Sequence, residues 1–156
     1  MNSERWYDRT VLLLGEERFS RLQQAHVLVV GLGGVGAYAA EMIVRAGVGR
    51  LTMVDADSVQ PTNINRQLCA LHSTIGRNKT EVLAARYKDI NPELELTVRP
   101  EYLDEEMAER ILDEAHYDFV VDAIDTISPK CVLIMAAMKR RIPIVSLSLI
   151  HISEPT

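Results

Sequence analysis

The chain has few cysteines, no excess of positive charge and no long apolar run, and each absence excludes a class of protein. Its two cysteines, Cys69 and Cys131, lie too far apart for a CxxC redox or zinc half-site. A formal net charge of −5 argues against nucleic-acid binding by bulk electrostatics, although a local basic patch stays compatible with it. No apolar run approaches the length of a membrane span, and residues 1–10 lack a signal-peptide core. We therefore expect a cytoplasmic protein without membrane contact.

The residues that are present predict one folded domain. The chain has 156 residues, 47% of them hydrophobic, which is enough for a single domain with a real core. Strand patterns alternate with helix patterns. The predicted strands are 27–30, 51–54, 94–98, 119–121 and 142–147, and the predicted helices are 16–24, 35–46, 79–90, 104–115 and 129–141. This alternation predicts an α/β, Rossmann-like, doubly wound and mainly parallel sheet with helices on both faces, and ligand at the carboxyl ends of the strands.

A glycine-rich turn follows the first predicted strand and is the most informative segment of the sequence. Residues 26–36 read HVLVVGLGGVG, and the glycines are Gly31, Gly33, Gly34 and Gly36. Without side chains they allow a tight turn and let backbone N–H groups approach phosphate oxygens at a helix N-terminus. Alone, this pattern predicts only a nucleotide-binding βαβ unit.

The motif DAD, at residues 55–57, ends the second predicted strand. Asp55 follows Gly36 by 19 residues, which is close to the ~20-residue spacing at which an acid meets ribose hydroxyls in such folds. The alternative is an acidic residue that serves a strand-end turn. For Asp57 ribose binding is the weaker hypothesis, since aspartate also caps turns.

A polar cluster, TNINRQ at residues 62–67, follows the second strand. It contains Asn63 and Arg66, and Arg66 offers a rigid fork of donors that can pair two phosphate oxygens at once. The later segment GRNK contributes Lys79, either as a mobile charge for phosphate or as a solvated lysine in the first turn of a helix. These groups suit a triphosphate and its leaving pyrophosphate.

The fourth predicted strand brings VVDAIDT to the same edge of the sheet. Asp125 suits Mg²⁺, which prefers a carboxylate together with phosphate oxygens and water. Asp122 lies nearer the strand and suits the orientation of backbone or water. Alternatively, both acids cap the helix that Pro129 opens. We favour Asp125 as the metal ligand and Asp122 as its support.

Other candidate residues have simpler interpretations. Cys69 and Cys131 are predicted to be small apolar core residues without a catalytic role, since free cysteine is usually buried. The basic run at residues 139–141 is predicted to cap the C-terminus of a helix.

The order GLGGVG, DAD, TNINRQ, GRNK and DAID resembles the adenylating domain of the ubiquitin-activating-enzyme-like superfamily, which includes MoeB and ThiF. The resemblance covers roughly residues 5–147, and five ordered motifs are far more specific than one glycine loop. It implies that ATP binds at the glycine turn and that a substrate carboxylate attacks the α-phosphate. An acyl-adenylate and pyrophosphate result.

The resemblance also assigns roles to residues. It implies that Asp55 holds the ribose and that Asp125 holds Mg²⁺. The residues that it implies for the phosphates are Asn63, Arg66 and Lys79. It further implies a homodimer, in which a basic residue near the N-terminus, here Arg9, reaches into the site of the partner subunit.

Within the superfamily, residues 62–71 and 121–130 are most similar to the tRNA threonylcarbamoyladenosine dehydratase group. This similarity implies ATP-dependent activation of the carboxylate of the modified adenosine in tRNA. Cyclisation with loss of water follows, because adenylation creates a good leaving group and the neighbouring carbamoyl group attacks intramolecularly.

Three alternatives stay open. The first is adenylation of the C-terminal glycine of a small ubiquitin-like sulfur-carrier protein. The second is a non-catalytic nucleotide-binding module. The third is a nicotinamide oxidoreductase, in which Arg66, Lys79 and Asp125 would have no task.

The end of the chain departs from the family pattern. After IPIVS, residues 142–146, the family continues with a small-residue or Gly-rich loop and a long further segment, whereas this chain reads LSLIHISEPT. We expect an incomplete ATP-binding adenylating domain over residues 1–147 and a non-native or disordered tail over residues 148–156. We also expect the native gene to continue beyond about Ser146.

Overall fold

A computed structural model describes residues 4–147 of the chain. The helices are α1 (Asp8–Leu14), α2 (Glu16–Gln24), α3 (Gly36–Ala46), α4 (Lys79–Ile90), α5 (Glu105–Glu114) and α6 (Ile127–Lys139). The strands are β1 (His26–Val30), β2 (Arg50–Val54), β3 (Glu95–Arg99), β4 (Phe119–Asp122) and β5 (Ile144–Ser146). Two short 3₁₀ turns, Pro61–Asn63 and His72–Thr74, lie in the loop after β2. The tail predicted over residues 148–156 lies outside the described residues.

The five strands form one sheet in the order β3-β2-β1-β4-β5. Every neighbouring pair is parallel, so the predicted α/β doubly wound fold is confirmed and the described sheet is entirely parallel rather than mainly so. The chain winds outward from β1 to β3 on one side and from β4 to β5 on the other. The strand order therefore reverses between β1 and β4, and a crevice for a ligand opens at such a switch point.

The central strand β1 is buried on both faces and divides the core in two. Val27 and Val29 face the apolar cluster beneath α3 and α4, while Leu28 and Val30 face the cluster beneath α5 and α6. A strand of this kind reads as a continuous apolar run, as in the sequence HVLVV. The two cores fix the end of β1, where the glycine turn begins.

The N-terminal helices precede β1. Phe19 of α2 is buried as predicted and stacks on Tyr7, with 4.7 Å between the ring centroids. The structure adds α1, which the sequence analysis did not predict and which has no buried residue. Its sequence, DRTVLLL, has four consecutive apolar residues and therefore no clear helical periodicity to detect.

Helix α6 differs from its prediction in two respects. It begins at Ile127, two residues before Pro129, which the first turn accommodates because its N–H groups have no intrahelical partner. Cys131 on α6 is exposed, so its prediction as a core residue is wrong, whereas Cys69 is buried as predicted. At the other end of α6, the guanidinium of Arg140 donates to the carbonyl oxygen of Ala136 at 3.1 Å, which confirms a basic cap.

Among residues 4–147, no helix has both the length and the apolar character that crossing a membrane would require.

Candidate functional site

A cavity of about 410 Å³ opens at the carboxyl ends of the strands, where the switch point predicts it. Its wall is built from four segments that are distant in sequence. They are the glycine turn, residues 54–57 after β2, residues 101–103 after β3, and residues 123–126 after β4. Side chains from the segment after β2 and from the start of α4 also line it: Arg66, Gln67 and Lys79.

The glycine turn has no room for side chains at two of its positions. Gly31 has a φ of +91°, and a Cβ atom there would lie 2.5 Å from the carbonyl oxygen of Ala123. At Gly36 a Cβ atom would lie 1.7 Å from the carbonyl oxygen of Gly31. Gly36 is outside the cavity wall, so its contribution is to let the turn close, while Gly31, Gly33 and Gly34 line the cavity.

Backbone N–H groups of the turn are available to a ligand. Among residues 4–147, the amides of Gly33, Gly34 and Val35 donate to no protein acceptor. They precede the N-terminus of α3, where helical N–H groups also lack partners and the helix dipole favours negative charge. The turn is therefore suited to a phosphate group, as the sequence predicts.

Asp55 stands at the end of β2 and is held by the backbone. Its carboxylate accepts hydrogen bonds from the N–H of Leu32 at 2.7 Å and from the N–H of Asp57 at 2.8 Å. Burial raises the pKa of the Asp55 carboxyl, while these two hydrogen bonds and the charge of Lys79 oppose the rise. Each carboxylate oxygen has a second lone pair, so the group can still accept ribose hydroxyls.

Lys79 begins α4, and its side chain is only 6% exposed. The ammonium nitrogen lies 3.5 Å from Oδ2 of Asp57, and the N–H of Lys79 donates to the carbonyl oxygen of Asp57 at 3.0 Å. The alternative of a solvated lysine is thus wrong. The contacts with Asp57 instead fix Lys79 in the cavity wall.

Arg66 is exposed at the cavity and anchored through one nitrogen. Nη1 donates to the carbonyl oxygen of Thr62 and to Oδ1 of Asn65, both at 3.0 Å. Within the described part of the chain, Nε and Nη2 donate to no acceptor. Those donors can pair with a phosphate.

Asn63 does not line the cavity. It is buried, and its side-chain oxygen accepts a hydrogen bond from the N–H of Gln60 at 2.9 Å. This bond holds the 3₁₀ turn that precedes Arg66. A direct contact of Asn63 with phosphate stays a prediction.

Asp125 lines the cavity and is exposed. In residues 4–147 its carboxylate makes no hydrogen bond, and the N-cap residue of α6 is Thr126, without a side-chain cap bond. The geometry therefore does not support helix capping by Asp125. Asp122 accepts from the N–H of Ile124 at 3.0 Å, which supports its predicted role as a residue that orients the backbone.

The donor set around Asp125 fits a metal that arrives with phosphate. No group of three or more His, Cys, Asp or Glu residues that could hold a metal occurs within the described range 4–147. One carboxylate is nevertheless enough when phosphate oxygens and water complete an octahedral Mg²⁺ shell.

Two parts of the cavity wall were missed as site residues. Gln67 is buried, and its Nε2 would lie 3.6 Å from a Cβ atom at Gly33, so its amide adjoins the glycine turn. Residues 101–103 follow β3, and Tyr102 among them is 77% exposed. The sequence contains a signal for both. Gln67 belongs to the polar cluster, and residues 101–103 follow a predicted strand, whose carboxyl end lies at the same edge of a parallel sheet.

Arg9 lies outside the cavity of its own chain. It is exposed on α1. The preceding Trp6 and Tyr7 line a hollow with Gly49 and Arg50, near the start of β2. That region is at the opposite edge of the sheet from the glycine turn.

Comparisons with known proteins extend these observations. The tRNA threonylcarbamoyladenosine dehydratase of Bacillus subtilis (strain 168) is 44% identical over 140 residues, which are 90% of this chain and 55% of that protein. A crystal structure of the Escherichia coli tRNA N6-threonylcarbamoyladenosine dehydratase, TcdA, in complex with ATP superposes with a TM-score of 0.87 at 39% identity. The match covers 94% of this chain and 61% of that one.

The names of a second group of relatives describe a different activity. The adenylyltransferase and sulfurtransferase MOCS3 of Anopheles gambiae is 35% identical over 90% of this chain and 32% of its own length. The chain spans about half the length of the dehydratases that it matches.

The family model that matches the chain is described as the ThiF family, and it covers residues 7–153. That range includes all five strands and every residue of the cavity wall. Together with the 44% identity to a relative over nine tenths of the sequence, this match shows that the chain belongs to the ThiF family.

Proposed function

We propose that the chain binds ATP at the carboxyl-end cavity and uses it to adenylate the carboxylate of threonylcarbamoyladenosine in tRNA, which leads to cyclisation by dehydration. One observation carries the proposal. Free backbone amides, a backbone-held carboxylate and two cationic side chains converge on one cavity of about 410 Å³. An ATP molecule needs this combination of partners for its phosphates and ribose.

Different residues of the cavity bind different parts of the nucleotide. Asp55 accepts hydrogen bonds from the ribose hydroxyls through its ionised carboxylate. Because burial raises the pKa of this carboxyl, ionisation requires a higher pH than for an ordinary aspartate. The amides of Gly33 and Gly34, together with Arg66 and Lys79, take the phosphates. Asp125 would hold Mg²⁺, which offsets the charge of the phosphate oxygens when it is bound.

The cations also act on the reaction. When the substrate carboxylate attacks the α-phosphate, a bond forms between them and the bond to the pyrophosphate oxygen breaks. Charge accumulates on the leaving pyrophosphate, where the fork of Arg66 and the fixed charge of Lys79 stabilise it. The buried, Asp57-bound position of Lys79 limits its motion, so little reorganisation is needed during the step.

Identity favours a modified tRNA as the substrate. The dehydratases are 40–44% identical to this chain in Bacillus subtilis and Escherichia coli. The chemistry also fits, because the carbamoyl group of the same nucleoside attacks the activated carboxylate at high effective concentration. Since ATP and tRNA are cytoplasmic, a cytoplasmic location is part of the proposal.

A homodimer belongs to the same proposal. Arg9 lies on α1, away from the cavity of its own chain, and is exposed to a neighbour. The exposed Leu12 and Leu13 on the same helix, at 80% and 82%, offer apolar area for a contact between subunits. In the dimer, Arg9 of one subunit would serve the site of the other.

A second candidate substrate is the C-terminal glycine of a ubiquitin-like sulfur carrier. The 35% identity to a protein named adenylyltransferase and sulfurtransferase favours it. The nucleotide site would be unchanged, and only the carboxylate differs.

The test incubates the chain with ATP, Mg²⁺ and tRNA that carries threonylcarbamoyladenosine, and analyses the nucleosides by mass spectrometry. We expect an ATP-dependent loss of one water from that nucleoside. Lys79→Gln should abolish the change, while Lys139→Gln, an equal charge change on the exposed end of α6, should preserve it. ATP-dependent pyrophosphate exchange with a sulfur carrier but not with tRNA would favour the second candidate. ATP binding with neither reaction would indicate a binding module.

A further inference from the structure

A buried ion pair lies behind the cavity wall. Lys130, in the first turn of α6, is 8% exposed, and Asp122 at the end of β4 is 0% exposed. The ammonium donates to Oδ2 of Asp122 at 2.6 Å, to Oγ of Ser146 at 3.0 Å and to the carbonyl oxygen of Leu147 at 3.2 Å. These three bonds use all three ammonium hydrogens. Lys130 is also absent from the cavity wall, so it is not a direct ligand of phosphate.

The pair determines the path of the segment that carries Asp125. Oδ1 of Asp122 accepts from the N–H of Ile124 at 3.0 Å, which bends the chain directly after β4. The N–H of Ala123 donates to the carbonyl oxygen of Val30 at 2.8 Å, which ties the same segment to β1. Asp125 makes no bond of its own in the described chain, so these neighbours set its position.

A second tie joins the ion pair to β5. Oγ of Ser146 donates to Oδ2 of Asp122 at 2.7 Å, and the N–H of Leu147 donates to the carbonyl oxygen of Asp122 at 2.7 Å. The ends of β4 and β5 and the start of α6 therefore meet at one carboxylate.

A contribution to folding stability does not by itself explain why a buried ion pair occurs at this position. Removing two charges from water has a large free-energy cost, and apolar residues of similar volume are often equally or more stabilising. A lysine in the first turn of a helix also opposes the helix dipole. A buried pair that is retained in these conditions can instead specify one geometry.

We propose that Lys130 is a positioning residue, which acts through Asp122 to hold Asp125 at the distance from the glycine turn that Mg²⁺ and the phosphates require. This inference rests on the proposed function, since it concerns the metal ligand of that site. The structure supports a role through backbone position because the side chain of Lys130 reaches Asp125 only by way of Asp122 and Ile124, while its backbone N–H donates to the carbonyl oxygen of Thr126 at 3.3 Å.

The experiment measures ATP binding by calorimetry, first in EDTA and then over a Mg²⁺ titration. The variant Asp122→Asn/Lys130→Met removes the pair without leaving an uncompensated buried charge. The control, Asp113→Asn/Arg140→Met, removes an ion pair at the C-cap of α6, in which Arg140 Nε lies 2.7 Å from Oδ1 of Asp113. We expect about a tenfold increase in the half-saturating Mg²⁺ concentration for the first variant and no change for the control. Affinity for ATP in EDTA should stay within about threefold of the parent, because the other phosphate and ribose contacts remain.

A double-mutant cycle separates this role from general loosening of the fold. In an Asp125→Asn background, removing the pair should have no further effect on the Mg²⁺ titration, since the ligand that it positions is already lost. An equal shift in that background, an unshifted titration, or an equal loss of affinity in EDTA would overturn the inference. If the pair variant does not fold, Ser146→Ala removes the two hydrogen bonds of that hydroxyl, retains both charges and should give a smaller shift of the same kind. Parent protein that binds no ATP would instead overturn the proposed function itself.

Discussion

The two ends of the sheet each carry a cavity, and the larger one is not the candidate site. The hollow at the amino ends of the strands has a volume of about 780 Å³, against about 410 Å³ at the carboxyl ends. Several of its polar groups already have partners. Arg50 lies 4.0 Å from Glu95, Nε2 of His26 lies 2.8 Å from Oγ1 of Thr52, and Asp118 accepts from the N–H of His26 at 2.7 Å.

At the carboxyl ends, by contrast, binding groups remain free. In the described part of the chain, Asp125 and the amides of Gly33 and Gly34 have no protein partner, and Arg66 uses one nitrogen of three. The cavity with the larger volume is thus not the one whose groups are available to a ligand. Convergent polar groups without partners identify the site, because a bound ligand must supply those partners.

The largest expected effect comes from the floor of the carboxyl-end cavity. Gly31→Ala forces a Cβ atom to within 2.5 Å of the Ala123 carbonyl oxygen, in a left-handed backbone conformation. We expect loss of ATP binding and a decrease of more than about 3 kcal/mol in the free energy of unfolding. Gly15→Ala, between α1 and α2, has a similar φ of +82° and open space around it. With a ψ of 157° this backbone conformation is one that is essentially restricted to glycine, so the variant should decrease stability by about 1–3 kcal/mol, the backbone penalty without the crowding. Urea denaturation of both variants checks this; equal losses would contradict the crowding argument.

Arginine substitutions at the two ends compare the cavities directly. Arg66→Ala should weaken ATP binding by about ten- to hundredfold, the equivalent of a lost charge-assisted hydrogen bond or pair. Its melting temperature should not change, because the side chain is exposed. Arg50→Ala, which removes the same charge from the larger hollow, should leave ATP affinity unchanged. Calorimetric titration measures both, and an ATP affinity that responds to Arg50 instead would reverse the comparison.

The acid Asp125 offers a test of the proposed metal ligand. Asp125→Asn should raise the Mg²⁺ concentration for half-maximal ATP binding by about tenfold, because a neutral amide is a poorer ligand. Asp89→Asn removes the same charge from the exposed surface of α4 and is the matched control. An unaltered Mg²⁺ titration for Asp125→Asn would remove that residue from the metal site.

Acid pH should weaken the carboxyl-end site through Asp55. The pKa of this carboxyl is raised by burial above its ordinary value of about 3.9. ATP affinity should therefore fall as the pH decreases through the raised pKa, since a protonated carboxyl loses acceptor capacity. The contribution to stability has the opposite sign. It is favourable below the unfolded pKa and is lost as the pH rises through the folded pKa. Asp55→Asn should remove both dependences, measured by titration and by thermal denaturation across pH.

The smallest effect is expected at the amino ends, from His26. Burial and the nearby charge of Arg50 lower the pKa of this imidazole. Its contribution to stability should be fully present above the unfolded pKa of about 6.5 and decrease as the pH falls through the lower folded pKa. His26→Asn should flatten that slope in thermal melts and leave ATP affinity unchanged. A pH-dependent ATP affinity that disappears with His26 would connect the two cavities.

Much of the fold was predictable because its signals are local. Four of the described strands contain short apolar runs and β3 alternates, and Gly47 ends α3 in the left-handed conformation, with a φ of +103°, as its sequence indicates. Helix α1 was not predictable in this way, since its four consecutive apolar residues have no clear helical periodicity. The start of α6 was misplaced because Pro129 was read as the first residue of the helix, whereas three positions of the first turn tolerate proline.

Residues of the candidate site could be predicted where their type and order in the sequence are distinctive. Features that depend on whether a side chain is buried could not. The glycine turn, Asp55, Arg66 and Asp125 stand out by type and order, and the structure brings all four to one cavity. The burial of Lys79 depends on how α4 packs in the folded chain, which its neighbours in sequence do not reveal. Cys131 was assigned to the core from the average behaviour of cysteine, although its position on α6 faces outward.

The central position of β1 has a consequence for synthesis on the ribosome. Its glycine turn closes against Ala123, and its first residue is tied to Asp118, 92 residues further along the chain. At a translation rate of about 5–20 residues per second, the turn emerges roughly 5–20 s before the strand that completes it. During that interval the cavity lacks the segment after β4, residues 123–126, which carries Asp125. A ligand that requires the complete cavity therefore cannot guide the earliest steps of folding.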